Sequence, residues 1–279
     1  MAEPSVHTFD APGPVTVRVE IPAGSLSVDT RPERRVEVEV APARGDERSA
    51  AAAEETRVST AERGGRHEIA VRAPKRETGP LGIAWGRAPE LAVTVRCPEG
   101  TDLDLATHSA DLQTHGRLGA VTARSASGDV SLEDAVALSY ATASGDLTAG
   151  SVETALAVKS ASGDVDVRSV GATASVNTVS GDVCLHETVG PVAVKTISGD
   201  VELDATGAGV VVSSVSGDVA VSAVAGLVLW IDAQSVSGTM TSELDVGDEP
   251  SEPGREAVEL RVRTVSGDVR VARSAAAAR

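Results

Sequence analysis

The chain has 279 residues, a formal charge of −16, and 41% hydrophobic but only 1% aromatic residues. That length allows one large or two small domains with a real core, and the core must be aliphatic, because Phe9, Trp85, Tyr140 and Trp230 are the only Phe, Trp or Tyr residues. An acid excess of this size repels phosphate backbones and anionic lipid, which argues against nucleic acid and against direct membrane insertion.

In chain order, residues 15–21, 26–28 and 36–40 alternate apolar with polar side chains and predict strands with one buried face. Residues 49–57 are rich in Ala and Glu and predict a short surface helix. Strand alternation returns at residues 68–71 and 91–95. Between them, the Gly/Pro-rich residues 75–89 predict a loop carrying Trp85, the best single hint of a ligand-binding loop. Residues 1–105 therefore read as irregular N-terminal rungs, with an inserted helix and loop, of one domain covering residues 1–279.

From there a repeat takes over. Ser-Gly-Asp begins at Ser127, Ser144, Ser162, Ser180, Ser198, Ser216 and Ser266, with degenerate copies at Ser109 (Ser-Ala-Asp) and Ser237 (Ser-Gly-Thr). Successive steps from Ser109 to Ser216 are 18, 17, 18, 18, 18 and 18 residues. So short and regular a period predicts an all-β solenoid in which each copy adds one rung. In residues 180–197, Val183 and Leu185 alternate with Cys184 and His186; after a turn at Gly190 and Pro191, Val192, Val194 and Thr196 alternate with Ala193 and Lys195. The next copies give Val201, Leu203, Val210, Val212 and Val215, then Val219, Val221, Val228, Trp230 and Val236, as inward places. The regular repeats run over residues 106–273, an acidic loop at 245–256 stretches the step from Ser237 to Ser266 to 29, and residues 274–279 form a tail.

At the corners, Gly128, Gly145, Gly163, Gly181, Gly199, Gly217 and Gly267 can take positive φ, and the Ser and Asp beside them can cap free amides. Stacking puts Asp129, Asp146, Asp164, Asp182, Asp200 and Asp218 in one column, with Asp268 at the last corner. Neighbouring carboxylates ~4.8 Å apart in water repel by about 0.9 kcal/mol. A charged hydrogen bond to a turn amide contributes ~1.5–3 kcal/mol, so the column stands without a cation. It could hold calcium, but the Gly-Gly-x-Gly-x-Asp nonapeptide is absent and such a site is not expected. No other metal and no cofactor is indicated. Seven equivalent Ser/Asp pairs argue against a catalytic Ser/His/Asp triad, which needs one singular environment, and His108, His115 and His186 are not read as catalytic.

The Ser-Gly-Asp-Val copies follow Val95-Arg96-Cys97-Pro98-Glu99-Gly100-Thr101 and residues 103–107. Together they resemble the bacterial putative-adhesin, or toastrack, family over residues 15–271. The resemblance implies a single-stranded, right-handed β-solenoid (β-helix), an association with cell-envelope stress in some members, and no established catalytic residues.

Two functional readings remain. One is a non-catalytic interaction or assembly scaffold binding itself or another protein; the alternative is a polysaccharide-binding or polysaccharide-cleaving β-helix. Residues 1–15 carry no apolar run, no eighteen apolar residues stand together, and Cys97 and Cys184 have no metal or redox spacing, so a reducing cytoplasmic setting is expected. Residues 98–254 hold 23 acids and 5 bases, whereas residues 255–279 hold 3 acids and 6 arginines. The last strand, residues 268–272, should have a neighbour on one side only. Val269, Arg270, Val271 and Arg273 are therefore the expected self-association surface.

Overall fold

The computed structural model describes residues 4–74, 87–224, 228–244 and 258–274. They form an all-β chain with a single helix among the described residues. The chain divides into two compact units, residues 1–136 with 140–145, and residues 137–139 with 146–279.

In the first unit the strands are β1 (Ser5–Asp10), β2 (Val15–Arg31) and β3 (Arg35–Pro42); then, after helix α1 (Glu47–Glu55), β4 (Arg57–Arg63), β5 (Arg66–Arg72), β6 (Glu90–Pro98), β7 (Asp102–His115), β8 (Arg117–Arg124) and β9 (Val130–Ala141). The long β2 organises them. Its first half lies parallel between β5 and β7, with Val17 opposite both Ile69 and Leu103, and its second half between β6 and β7, with Leu26 opposite both Val93 and Leu112. Alternate residues Val15, Val17, Val19 and Ile21 are buried, as the apolar/polar period requires.

Parallel stacking does not extend through the whole unit, which corrects the expectation of a single-stranded solenoid throughout. Strand β3 runs antiparallel to β6 and to β1, and β4 runs antiparallel to β5. The β4–β5 reversal is set by Gly64-Gly65, both at positive φ (59° and 76°), the conformation of a two-residue type I′ hairpin. Helix α1 starts two residues earlier than the composition predicts, because Asp46 caps it there: its Oδ1 accepts the Ser49 amide at 2.8 Å; the helix ends two residues sooner, at the Thr56 C-cap. That amide holds the Asp46 carboxyl below the usual carboxylate range. Ala52 and Ala53 are buried where the helix packs on β3 and β6, and Ser49 Oγ accepts the Glu90 amide at 3.1 Å.

The second unit holds β10 (Leu147–Lys159), β11 (Val165–Val170), β12 (Thr173–Asn177), β13 (Val183–Thr188), β14 (Val192–Lys195), β15 (Val201–Thr206), β16 (Val210–Ser213), β17 (Val219–Ala223), β18 (Leu229–Ser237), β19 (Met240–Ser242), β20 (Val258–Ser266) and β21 (Val269–Arg273). All its registered pairs are parallel. Val165 stands opposite Val183, Val183 opposite Val201, and Val201 opposite Val219; on a second face Ala174, Val192, Val210 and Leu260 follow one another. These inward columns are buried aliphatics, which is why so few rings suffice.

The stacking order departs from chain order at the end. Strands β20 and β21 do not form the last rung. Strand β21 pairs with β17 on one side and β19 on the other, and β20 pairs with β16 and β18. The chain thus builds its outermost rung with β18 and β19, then returns to lay β20 and β21 inside it. Inward places explain the order: β20 and β21 offer Leu260, Val262, Val269 and Val271, whereas the outer rung offers Ile231, Ala233, Met240 and Ser242. The more apolar set gains more from neighbours on both sides.

Candidate functional site

Each corner of the second unit is built the same way. The Asp164 amide donates to Asp146 Oδ1 at 2.9 Å, Asp182 to Asp164 at 2.9 Å, Asp200 to Asp182 at 2.8 Å, Asp218 to Asp200 at 2.8 Å, and Asp268 to Asp218 at 2.8 Å. The Asp268 carboxylate in turn accepts the Thr239 amide at 2.7 Å. Every carboxylate therefore caps the rung above it. The Ser-Gly-Thr copy at Ser237 now has an account: among the described residues it is the outer rung with no further amide to cap, and it carries Thr239 instead of Asp. In the first unit the Asp129 amide donates likewise to Asp111 Oδ1 at 3.1 Å.

The corner glycines answer to close approach as much as to dihedral angle. Gly199 has φ 123°, and a Cβ there would lie 2.3 Å from the Gly181 carbonyl oxygen. Gly128 and Gly145 are outside the left-handed region, contrary to expectation, yet a Cβ on them would come within 2.0 and 2.2 Å of a carbonyl oxygen on the previous corner. Buried hydroxyls complete the corner: Thr178, Thr196, Ser214 and Thr264 donate to the carbonyls of Ser180, Ser198, Ser216 and Ser266 at 3.0–3.3 Å.

The expected interface residues are not at an edge. Val269 and Val271 are 2% and 3% exposed, and β21 has neighbours on both sides. Among the described residues the open rung is β18–β19. Its inward places, Ile231 at 37% and Met240 at 54% exposure, are uncovered, while the same places one rung in, Leu260 and Val269, are buried. Trp230 also corrects an expectation: it projects outward beside Glu259 and is 54% exposed. Val215 and Val236 are outward too. With Val179, Ile197 and Val265 they form a ridge of exposed aliphatics one residue before each corner serine, ending at Val236, 82% exposed, on the open rung.

The family model for Toastrack DUF4097 matches residues 20–272. The chain belongs to this toastrack family. A putative adhesin from Parabacteroides distasonis has a similar fold at 10% identity, with 97% of each chain covered and a TM-score of 0.50. A second crystal structure from that organism, described as a putative lipid binding protein, matches at 10% identity over 96% of each chain with a TM-score of 0.45. A putative adhesin from Bacteroides fragilis matches at 11% identity over 97% of this chain and 98% of its own, with a TM-score of 0.40. No curated protein matches the chain.

The remaining chemistry of this toastrack chain lies on the outward side of β13. His186 stands between Asp166 (Nε2–Oδ1 3.3 Å) and Asp204 (Nδ1–Oδ2 3.6 Å), and Cys184 Sγ is 3.5 Å from Nε2. Burial, then the charges of Glu202, Asp166 and Asp204, push the Cys184 thiol up to about 11, the opposite of what a nucleophile needs. Burial likewise raises Cys97 to about 11. Among the described residues, no group of three His, Cys, Asp or Glu side chains converges to hold a metal ion. His108 and His115 lie on β7, in the first unit. Tyr140 is buried, its hydroxyl donating to the Gly128 carbonyl at 2.7 Å. Trp85 and the acidic loop at 245–256 lie outside the described residues. No described helix is long and apolar enough to cross a membrane.

Sequence reasoning missed the open rung because it followed chain order. The pointer was present in Thr239, which breaks the Ser-Gly-Asp pattern one copy before the last.

Proposed function

We propose that this toastrack chain is a non-catalytic interaction and assembly scaffold of the putative-adhesin type, binding proteins through its open rung and aliphatic ridge. The observation that carries this reading is the exposure of Trp230, Ile231, Val236 and Met240 together on the β18–β19 rung of an otherwise acidic protein. Apolar surface gathered in one place on an otherwise polar exterior marks a contact site. The corner serines are equivalent to one another, and the one outward thiol, Cys184, is held protonated, so neither supplies an activated nucleophile. The two free cysteines suit the reducing cytoplasm. Nucleic acid is not a partner of so acidic a surface, and calcium is not required by carboxylates already committed to amides.

The polysaccharide reading has one observation in its favour, the exposed indole of Trp230. Both readings are tested by immobilising the full chain, capturing partners from the native cytoplasm, and assaying glycan binding and cleavage in parallel. A captured protein whose cross-links map to β18, and whose capture falls with Trp230→Lys, is the expected result. Glycan binding that depends on Trp230, without any protein partner, would overturn it.

A further inference from the structure

We infer that two copies of this chain join through the open rung, β18 of one pairing antiparallel with β18 of the other about a two-fold axis at Ala233. The inference rests on the scaffold reading above and names its partner: a second copy. Strand β18 is hydrogen-bonded to β20 along its length and, among the described residues, is registered with no other strand. Such an edge offers a row of backbone donors and acceptors. Ile231 on this strand and Met240 on β19 stand exposed at inward places whose counterparts one rung in, Leu260 and Val269, are buried. A second rung laid on top would satisfy both needs at once.

The sequence of β18 selects the register. Opposite residues in a pair share a face, so the axis must pass through a residue pair that keeps outward places against outward places. With Ala233 on the axis, Trp230 meets Val236, Asp232 meets Gln234, and Ile231 meets Ser235. Aromatic with β-branched residues is a favourable cross-strand pair, and here it occurs twice by symmetry. Moving the axis to Asp232 would set two carboxylates face to face. Moving it to Gln234 would leave Trp230 opposite Gly238, beyond the strand.

Charge permits self-contact here. The formal charge of −16 makes two copies repel. On the open rung, however, Asp232 is bridged by Arg261 at 3.5 Å and Arg263 at 4.0 Å, and Glu243 by Arg270 at 2.5 Å. The arginines of the inner rung therefore neutralise the acids of the outer one. A two-fold contact uses the same edge on both copies, so assembly through it stops at two.

Sedimentation of the full chain from about 1 to 200 μM should show a monomer–dimer equilibrium with no larger species. Trp230→Lys and Val236→Glu should each weaken the dimer at least about 30-fold, since both residues sit at the proposed contact. Combined in one chain, the two substitutions should restore it, because the axis sets the new ammonium against the new carboxylate twice. Melting curves of the variants should stay close to that of the parent, both side chains being exposed. A monomer throughout the range overturns the inference, as does a dimer indifferent to either substitution, or one that the double variant fails to recover. Partner capture by a chain that stays monomeric would leave the scaffold reading standing while this inference falls.

Discussion

Asp200 holds the Asp218 amide at 2.8 Å and stands between two other carboxylates of the same column. Two terms oppose each other there: a charged cap contributes ~1.5–3 kcal/mol, and two neighbours repel by about 0.9 kcal/mol each. Asp200→Ala should therefore cost only about 1 kcal/mol by urea denaturation, and Asp200→Asn, which keeps the acceptor and removes the repulsion, should fall within about 0.5 kcal/mol of the parent. Gly199→Ala is the harsher change, since its Cβ would meet the Gly181 carbonyl oxygen at 2.3 Å in a left-handed backbone. A loss of about 3 kcal/mol or more is expected, read as a lowered urea midpoint. Cys97 gives a pH signature. Its thiol is raised from 9.0 to about 11 in the folded chain, so above pH 9 the unfolded chain releases a proton that the folded chain retains. Stability present below pH 9 should decline by about 2 kcal/mol as pH rises to 11, and Cys97→Ala should remove that part of the decline. The glycine and aspartate roles were legible in the triplet itself; the buried Tyr140 hydroxyl was not, because no local pattern marks its Gly128 acceptor twelve residues away.

Among the elements, the parallel strands carry a period that any reading of alternation finds, and the inward columns from Val183 to Val221 follow it. What escaped were strands whose partners are remote or reversed. Strand β4 is mostly exposed and polar, so periodicity gave it no mark, though Gly64-Gly65 announces its hairpin. Likewise, β21 reads as terminal in the chain and is internal in the stack, because pairing is decided by inward side chains and caps rather than by position along the chain. Extending the alternation across Val228 puts Trp230 inward, but the register with β20 sets it outward. The acidic column also belongs to this scale. With one carboxylate oxygen of each residue committed to an amide, sodium chloride should raise the melting temperature about as much as calcium at matched ionic strength. A rise specific to micromolar calcium would show a bound cation instead.

For the molecule as a whole, the decisive feature is which rung lies open. If β20 and β21 sit inside β18 and β19, the acidic chain presents one neutralised, apolar edge fit for contact, and Thr239 marks it in the sequence. Amide hydrogen exchange tests this most directly, using the Trp230→Lys variant to remove self-association. Residues 269–273 should exchange slowly, as an interior strand, while outward-edge amides of residues 229–242 exchange fast. Fast exchange across 269–273 together with uniform protection of 229–242 would place the open edge at the end of the chain and contradict the account.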